Sequence, residues 1–226
     1  MWELANSGIQ MIPITGRPAG WCEMIARFWP VEGVVGENGA LYFRYLSKRK
    51  KMVRYFAIDE LTRLENAQKL KAIEGEILTQ VPGSAIASDQ FTRLFDLAVD
   101  FCEDVPPLPD SDIKKIVDIF TRHGATAKIS SIHVNGWFGH YDKLSACKEF
   151  CRQELGWELA EHLDEVAFIG DSPNDEPLFG FFKNSFAVAN IQGFTKDLKK
   201  NPPAYVTPSP GGDGFAELAQ KLLQKK

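Results

Sequence analysis

The sequence predicts an α/β fold in which a core built on a parallel sheet carries an inserted α+β domain. Three observations predict it. Short apolar runs alternate with helical segments over residues 1–39, hairpins and two helices replace that alternation over residues 40–140, and it resumes over residues 141–226. Alternating strands and helices are the wiring of a parallel sheet, because each parallel pair needs a long crossover.

The elements follow in order. Met1 to Ala5 reads as part of a helix that Gly8 terminates, since glycine takes the left-handed conformation a helix end asks for. Ile9 to Ile14 reads as a buried strand leading into the Thr15-Gly16-Arg17-Pro18 loop. Trp21 to Trp29 is a helix ended by Pro30, and Val31 to Val35 is a second strand of the core. Leu41–Leu46 and Met52–Ala57 form a hairpin around the basic turn Lys48 to Lys51. Asp59 to Thr79 is a helix with Leu61, Leu64, Ala67, Leu70 and Ile73 at spacings of three. Strand-like segments lie within Ala85 to Phe101. Ser111 to His123 is a helix whose stripe is Ile113, Ile116, Val117 and Phe120, and Ala127 to Asn135 is a further strand. In the resumed core, Lys143 to Leu155 is a helix, and Glu165–Ile169, Ser185–Val188 and Ala204–Thr207 are strands. Gly214 to Gln224 is the last helix, with Asp213 as its N-cap.

Composition excludes several classes. A net charge of −4 argues against a general nucleic-acid binder, and no stretch approaches the ~18 apolar residues of a membrane span. The first residues lack the basic segment and apolar run of a secretory signal. Cys22, Cys102, Cys147 and Cys151 form no CxxC pair. They are expected to be buried and reduced, which implies a cytoplasmic location.

Three segments carry chemistry. Gly170-Asp171-Ser172-Pro173-Asn174-Asp175 follows an apolar strand directly. Ligands of parallel sheets sit at the carboxyl ends of strands, and two carboxylates four residues apart on such a turn suit Mg²⁺, which prefers oxygen ligands. Thr15-Gly16-Arg17 offers a hydroxyl and a guanidinium for an anion. Lys143, at a helix start, supplies an ammonium that would offset phosphate charge. Asn38 stands in Glu37-Asn38-Gly39-Ala40, between the first core segment and the insert.

Together, these segments resemble the haloacid dehalogenase (HAD) superfamily of phosphohydrolases, in its Cof-like, type IIB branch. Thr15 matches the second motif, Lys143 the third, Asp171 and Asp175 the fourth, and Asn38-Gly39-Ala40 the segment before the cap. The resemblance implies a Rossmann-like core of residues 1–39 and 141–226 and an α+β cap of residues 40–140. It implies Thr15, Lys143, Asp171 and Asp175 as catalytic residues, with Asp171 and Asp175 as Mg²⁺ ligands. Gly16, Arg17, Asn38, Asn174, His133 and Asn135 are the implied binders of a small phosphorylated metabolite, a sugar phosphate above all. His133, Asn135 and Trp137 are expected at the junction of cap and core, and Arg93 is a further candidate for an anionic substrate.

The family's first motif, Asp-x-Asp on the central strand, provides the nucleophile and the general acid and has no counterpart before Thr15. The chain is therefore expected to lack that strand, through truncation or natural loss, and to lack turnover. A homodimer is one way to fill the gap. The remaining pair of aspartates with apolar neighbours, Asp96 and Asp100, has the wrong spacing and is expected on an edge of the cap sheet.

Overall fold

A computed structural model describes residues 1–194, 198 and 200–224. In chain order the α-helices are α1 (Trp2–Asn6), α2 (Ala19–Phe28), α3 (Glu60–Gln80), α4 (Asp110–Arg122), α5 (Lys143–Phe150), α6 (Glu176–Phe181) and α7 (Gly211–Gln224). The strands are β1 (Val34–Gly36), β2 (Leu41–Leu46), β3 (Lys51–Phe56), β4 (Ala85–Ile86), β5 (Asp96–Asp100), β6 (Thr126–Ile129), β7 (His133–Trp137), β8 (Ala167–Gly170), β9 (Asn184–Ala187) and β10 (Tyr205–Val206). The fold is α/β, with a parallel sheet and separate antiparallel sheets. No helix among the described residues is long and apolar enough to cross a membrane.

Contacts divide the chain into two compact units, one of residues 1–12, 30–32 and 147–226, the other of residues 13–29 and 33–146. The division falls elsewhere than at Ala40 and His140. The reason lies in β1, which pairs antiparallel with β2 from Val34↔Phe43 to Gly36↔Leu41, while β2 pairs in turn with β3. A strand expected in the parallel core is thereby the first strand of an antiparallel meander.

In the first unit, β8 and β9 run parallel, with β10 parallel on the far side of β9. α6 fills the crossover between β8 and β9. Phe168 of β8 stacks on Phe182 and tilts against Phe179, so the helix is anchored to the sheet by aromatic contact. α1 ends in a Schellman arrangement. The amide of Gly8 donates to the Ala5 carbonyl and that of Ile9 to the Leu4 carbonyl, with Gly8 at φ 82°. The helix expected to run from Lys143 to Leu155 changes to a π-helical turn over Cys151–Leu155, closed by Gly156 at φ 79°. Asp213 sits inside the first turn of α7 rather than at its cap, since the helix already begins at Gly211.

The second unit holds the β1–β2–β3 meander and a four-stranded antiparallel sheet of order β4-β5-β7-β6. α3 and α4 cover this second sheet, burying Leu70, Ile73, Ile77, Leu97, Ile116, Ile119 and Phe120. The spacing of three read along α3 misplaces its face. Three residues advance ~300° on an α-helix, so such a series drifts ~60° per step around the helix. Leu61 and Leu64 are accordingly exposed, and the buried stripe runs through Asn66, Leu70, Ile73 and Ile77. The single strand expected over Ala127 to Asn135 is two strands, β6 and β7. They turn at Ser130, whose hydroxyl accepts the amides of Ile132 and His133. β5 is a central strand rather than an edge, flanked by β4 and β7, and Asp96 and Asp100 are both buried.

Ile9 to Ile14 is not a buried strand. Within the second unit the run contributes an isolated parallel bridge, Ile14↔Val35, and its residues are half-buried or exposed. Pro13 has no amide to donate, so the pairing rests on the Pro13 carbonyl, which accepts from Val35, and on the Thr15 amide, which donates to the Val35 carbonyl. Cys22, Cys147 and Cys151 are buried, Cys102 is half-buried, and all four are free thiols.

Candidate functional site

The Thr15-Gly16-Arg17 loop leaves the Ile14 bridge and is knitted to the turn after β1. The Asn38 amide donates to the Thr15 carbonyl, and the Glu37 amide donates to the Arg17 carbonyl. Inside the loop, the Arg17 amide donates to Thr15 Oγ1 at 3.0 Å. Gly16 faces the Asn38 amide so closely that a Cβ there would lie 3.1 Å from Asn38 Oδ1. Glu37 and Asn38 both take positive φ, 43° and 56°, a conformation that carries strain in non-glycine residues.

Gly39 brings the next residue to the site. Its φ is 103°, and a Cβ on it would lie 2.0 Å from the Asp142 carbonyl oxygen and 2.8 Å from the Lys143 amide nitrogen. Only glycine allows that approach. The first turn of α5 is therefore packed against the Asn38–Gly39 turn. Asp142 caps the helix, its carboxylate accepting the Ser145 amide at 2.7 Å while its own amide donates to Ser145 Oγ. Thr15, Gly16, Asn38 and the backbone of Lys143 thus form one contiguous stretch of the second unit.

Other predicted residues are committed elsewhere. The Arg17 guanidinium lies over the Trp21 ring and donates to Glu103 at 2.8 Å and to Asp89 at 3.4 Å. The hydrogen bond and charge of Glu103 hold that guanidinium more firmly protonated than usual. Asn135 is buried in β7, where its Nδ2 donates to Asp96 Oδ2 at 2.9 Å. His133 is buried on the same strand with Nε2 2.9 Å from Glu103 Oε2, in an ion-pair position without hydrogen-bond alignment. Burial lowers the pKa of that imidazole, favouring its neutral form. Arg93 does not face solvent. It donates from one nitrogen to Asp96 at 3.0 Å and to the Gly16 carbonyl at 2.8 Å. Trp137 is buried and stacks on Tyr141 at 5.9 Å.

Glu37 was not among the residues singled out from sequence, yet it organises this region. Its carboxylate is fully buried and accepts the amides of Ala19, Leu94 and Phe95 at 2.9, 2.9 and 2.6 Å. Burial, with the charge of Asp96 nearby, pushes its pKa up to about 7. The sequence signal that could have found it is a charged residue sitting between the apolar β1 and the buried Asn38-Gly39-Ala40, where a solvated side chain has no room.

The acidic turn belongs to the first unit. Gly170 ends β8, and a Cβ on it would lie 2.5 Å from Asp175 Oδ2. That oxygen accepts the Asp171 amide at 3.1 Å, while the Asp175 amide donates to the Ser172 carbonyl. Ser172 Oγ donates to Asn174 Oδ1 at 2.6 Å. Asp175 is buried and Asp171 exposed, and the turn passes through Pro173–Asp175 into α6. A Mg²⁺ ion is commonly bound through one or two carboxylates, with water and ligand oxygens completing the shell. Asp171 and Asp175 match that donor chemistry as a partial shell. Among the described residues no three His, Cys, Asp or Glu side chains gather in a metal-binding group.

No family model matches the sequence. Solved structures do match its fold over nearly the whole length. Thermoplasma acidophilum 0175 superposes with a TM-score of 0.67 at 17% identity, covering 97% of this chain and 85% of that one. A HAD/COF-like hydrolase from Plasmodium vivax gives 0.66 at 17% identity, with 99% and 86% covered. The HAD subclass IIB sugar phosphatase BT4131 gives 0.62 at 14% identity, with 97% and 88% covered.

Proposed function

We propose that this chain, which has the fold of the Cof-like, subclass IIB hydrolases of the HAD superfamily, handles a small phosphorylated metabolite of the sugar-phosphate class. Thr15, Gly16, Asn38 and Lys143 receive the phosphate, and Asp171 and Asp175 hold Mg²⁺ with Asn174 steadying their turn. Residues 40–140 act as the cap that meets the leaving group, with His133 and Asn135 bracing it through Glu103 and Asp96. The observation that carries this reading is the close packing of the Asn38–Gly39 turn on the start of α5, which places the Lys143 backbone beside Gly39, while the neighbouring Asn38 lies against Gly16 of the Thr15 loop. The donors proposed for the phosphoryl group are the Lys143 ammonium and the Asn38 side-chain amide, whose Nδ2 is buried without a hydrogen-bond partner among the described residues.

The chain as it stands is proposed to bind without turning over. Phosphoryl transfer through a carboxylate needs an oxygen free to attack. In the second unit the buried carboxylates are all engaged. Asp96 takes Arg93 and Asn135, Asp100 accepts the amides of Cys102, Glu103 and Asp104, and Glu37 accepts three amides. Loss of a nucleophile from a set of cooperating groups lowers rate by about 10⁶. The test is an aryl phosphate assay with Mg²⁺, paired with calorimetric titration of inorganic phosphate. Binding without turnover is expected. Turnover abolished by Asp171→Ala would overturn the non-catalytic half of the reading, and absence of phosphate binding would overturn the rest.

A further inference from the structure

We propose that Glu37 and Arg93 are positioning residues that hold the Thr15–Arg17 loop and the Asn38 side chain, whose buried Nδ2 has no hydrogen-bond partner among the described residues, in the conformation that receives phosphate. The inference rests on the phosphate reading above and adds to it the parts that set the loop's shape. Neither residue touches the proposed ligand.

The geometry carries the argument. The loop has no regular strand beneath it, since its pairing with β1 amounts to a single bridge at Ile14. Its shape must come from side chains. Arg93, with 1% of its side chain exposed, donates to the Gly16 carbonyl at 2.8 Å and to Asp96 at 3.0 Å. That bond fixes the middle of the loop to the segment entering β5. Glu37 fixes the other side. Its three accepted amides tie the turn after β1 to the first residue of α2 and to Leu94 and Phe95. Its own amide holds the Arg17 carbonyl, and the next amide holds the Thr15 carbonyl.

The positive φ of Glu37 and Asn38 costs energy that surrounding contacts must offset. The three hydrogen bonds to a buried carboxylate are the contacts available to do so. The groups facing Glu37 are Asp96 and Arg93 at the start of β5, Cys22 on α2 and Tyr141 before α5. Arg93 is the one cation in that set, and its ion pairs are with Asp96 and Asp89.

The experiment compares inorganic phosphate affinity by calorimetry in the full chain and in E37Q, R93K and I119V. The last trims the α3–α4 core away from the loop and serves as a stability control. E37Q and R93K are expected to fold, by circular dichroism, and to bind phosphate about ten- to a hundred-fold more weakly, the scale of a misplaced binding group. I119V is expected to keep its affinity at a comparable loss of melting temperature. Unchanged affinity in folded E37Q and R93K would overturn the proposal. So would an equal loss of affinity in I119V, because the effect would then follow stability alone. If the unaltered chain does not bind phosphate, the functional reading fails and the positioning role of Glu37 is judged by hydrogen exchange. Faster exchange at the Arg17 and Asn38 amides in E37Q supports it, since the Glu37 side chain bonds neither. Unchanged exchange there overturns it.

Discussion

At the scale of single residues, the proposed site depends on side chains whose partners lie far off in sequence. Arg17 shows this. Its guanidinium suits an anion, but in this structure it donates to Glu103, 86 residues away, and to Asp89. An incoming phosphate has to compete with both carboxylates. The Arg17–Glu103 pair is partly exposed, and such pairs contribute about 0.2–1 kcal/mol. Glu103→Gln is therefore expected to raise phosphate affinity by about two- to five-fold, as read by titration calorimetry. Unchanged or weaker binding would show that Arg17 takes no part in it. Residue type and order were enough to single out Thr15, Gly16, Asn38 and Lys143, and the structure brings Thr15, Gly16 and Asn38 together with Gly39 packed on the start of α5. The commitments of Arg17, Arg93, Asn135 and His133 were not legible, because a buried ion pair depends on which strands become neighbours. Glu37 was missed for the same reason, as its three amide donors come from Ala19 and from Leu94 and Phe95.

At the scale of elements, helices, the β2–β3 hairpin and the parallel strands β8 to β10 could be read from the sequence, whereas the sheet membership of β1 could not. β1 looks like a parallel core strand in isolation because an apolar run of three to five residues carries no information about the direction of its neighbour. The β6–β7 hairpin was hidden because its turn uses Ser130 and Ser131 in place of the Gly or Asn that marks tight turns. β7 also contains Gly136, and a glycine inside a strand often marks a close approach. Here the approaching group is Phe120 of α4, whose Cε1 would lie 2.1 Å from a Cβ at that position. Phe120 is fully buried in the α3–α4 core and has no space to retreat into. Gly136→Ala is expected to cost about 1–3 kcal/mol, the range of core overpacking. A urea denaturation midpoint measures it, and adding Phe120→Leu should restore part of the loss. If Gly136→Ala alone is neutral, α4 does not pack on β7 as described.

At the scale of the whole molecule, the buried charges predict how stability changes with pH. Glu37 holds its proton more tightly folded than unfolded, because burial and Asp96 push its pKa from the ordinary 4.5 up to about 7. Between those values the folded chain binds more protons than the unfolded chain. By linkage its contribution to stability is then full below pH 4.5 and is lost as pH rises toward 7. The surface carboxylates of Glu23, Asp59, Glu76 and Glu149 work the other way. Hydrogen bonds to arginine, histidine or backbone partners lower their pKa values, so they add stability at neutral pH that is lost in acid. Two opposed slopes give a maximum on the acid side of neutrality. Thermal melts between pH 4 and 8 are expected to show it, with melting temperature declining from about pH 5 to pH 7. Glu37→Gln cannot titrate, so its melting temperature should stay nearly level over that interval while the acid limb below it remains. A variant that keeps the full decline would show that the slope does not come from Glu37. Glu37 would then be ionised throughout, bound to its three amides as a permanent carboxylate.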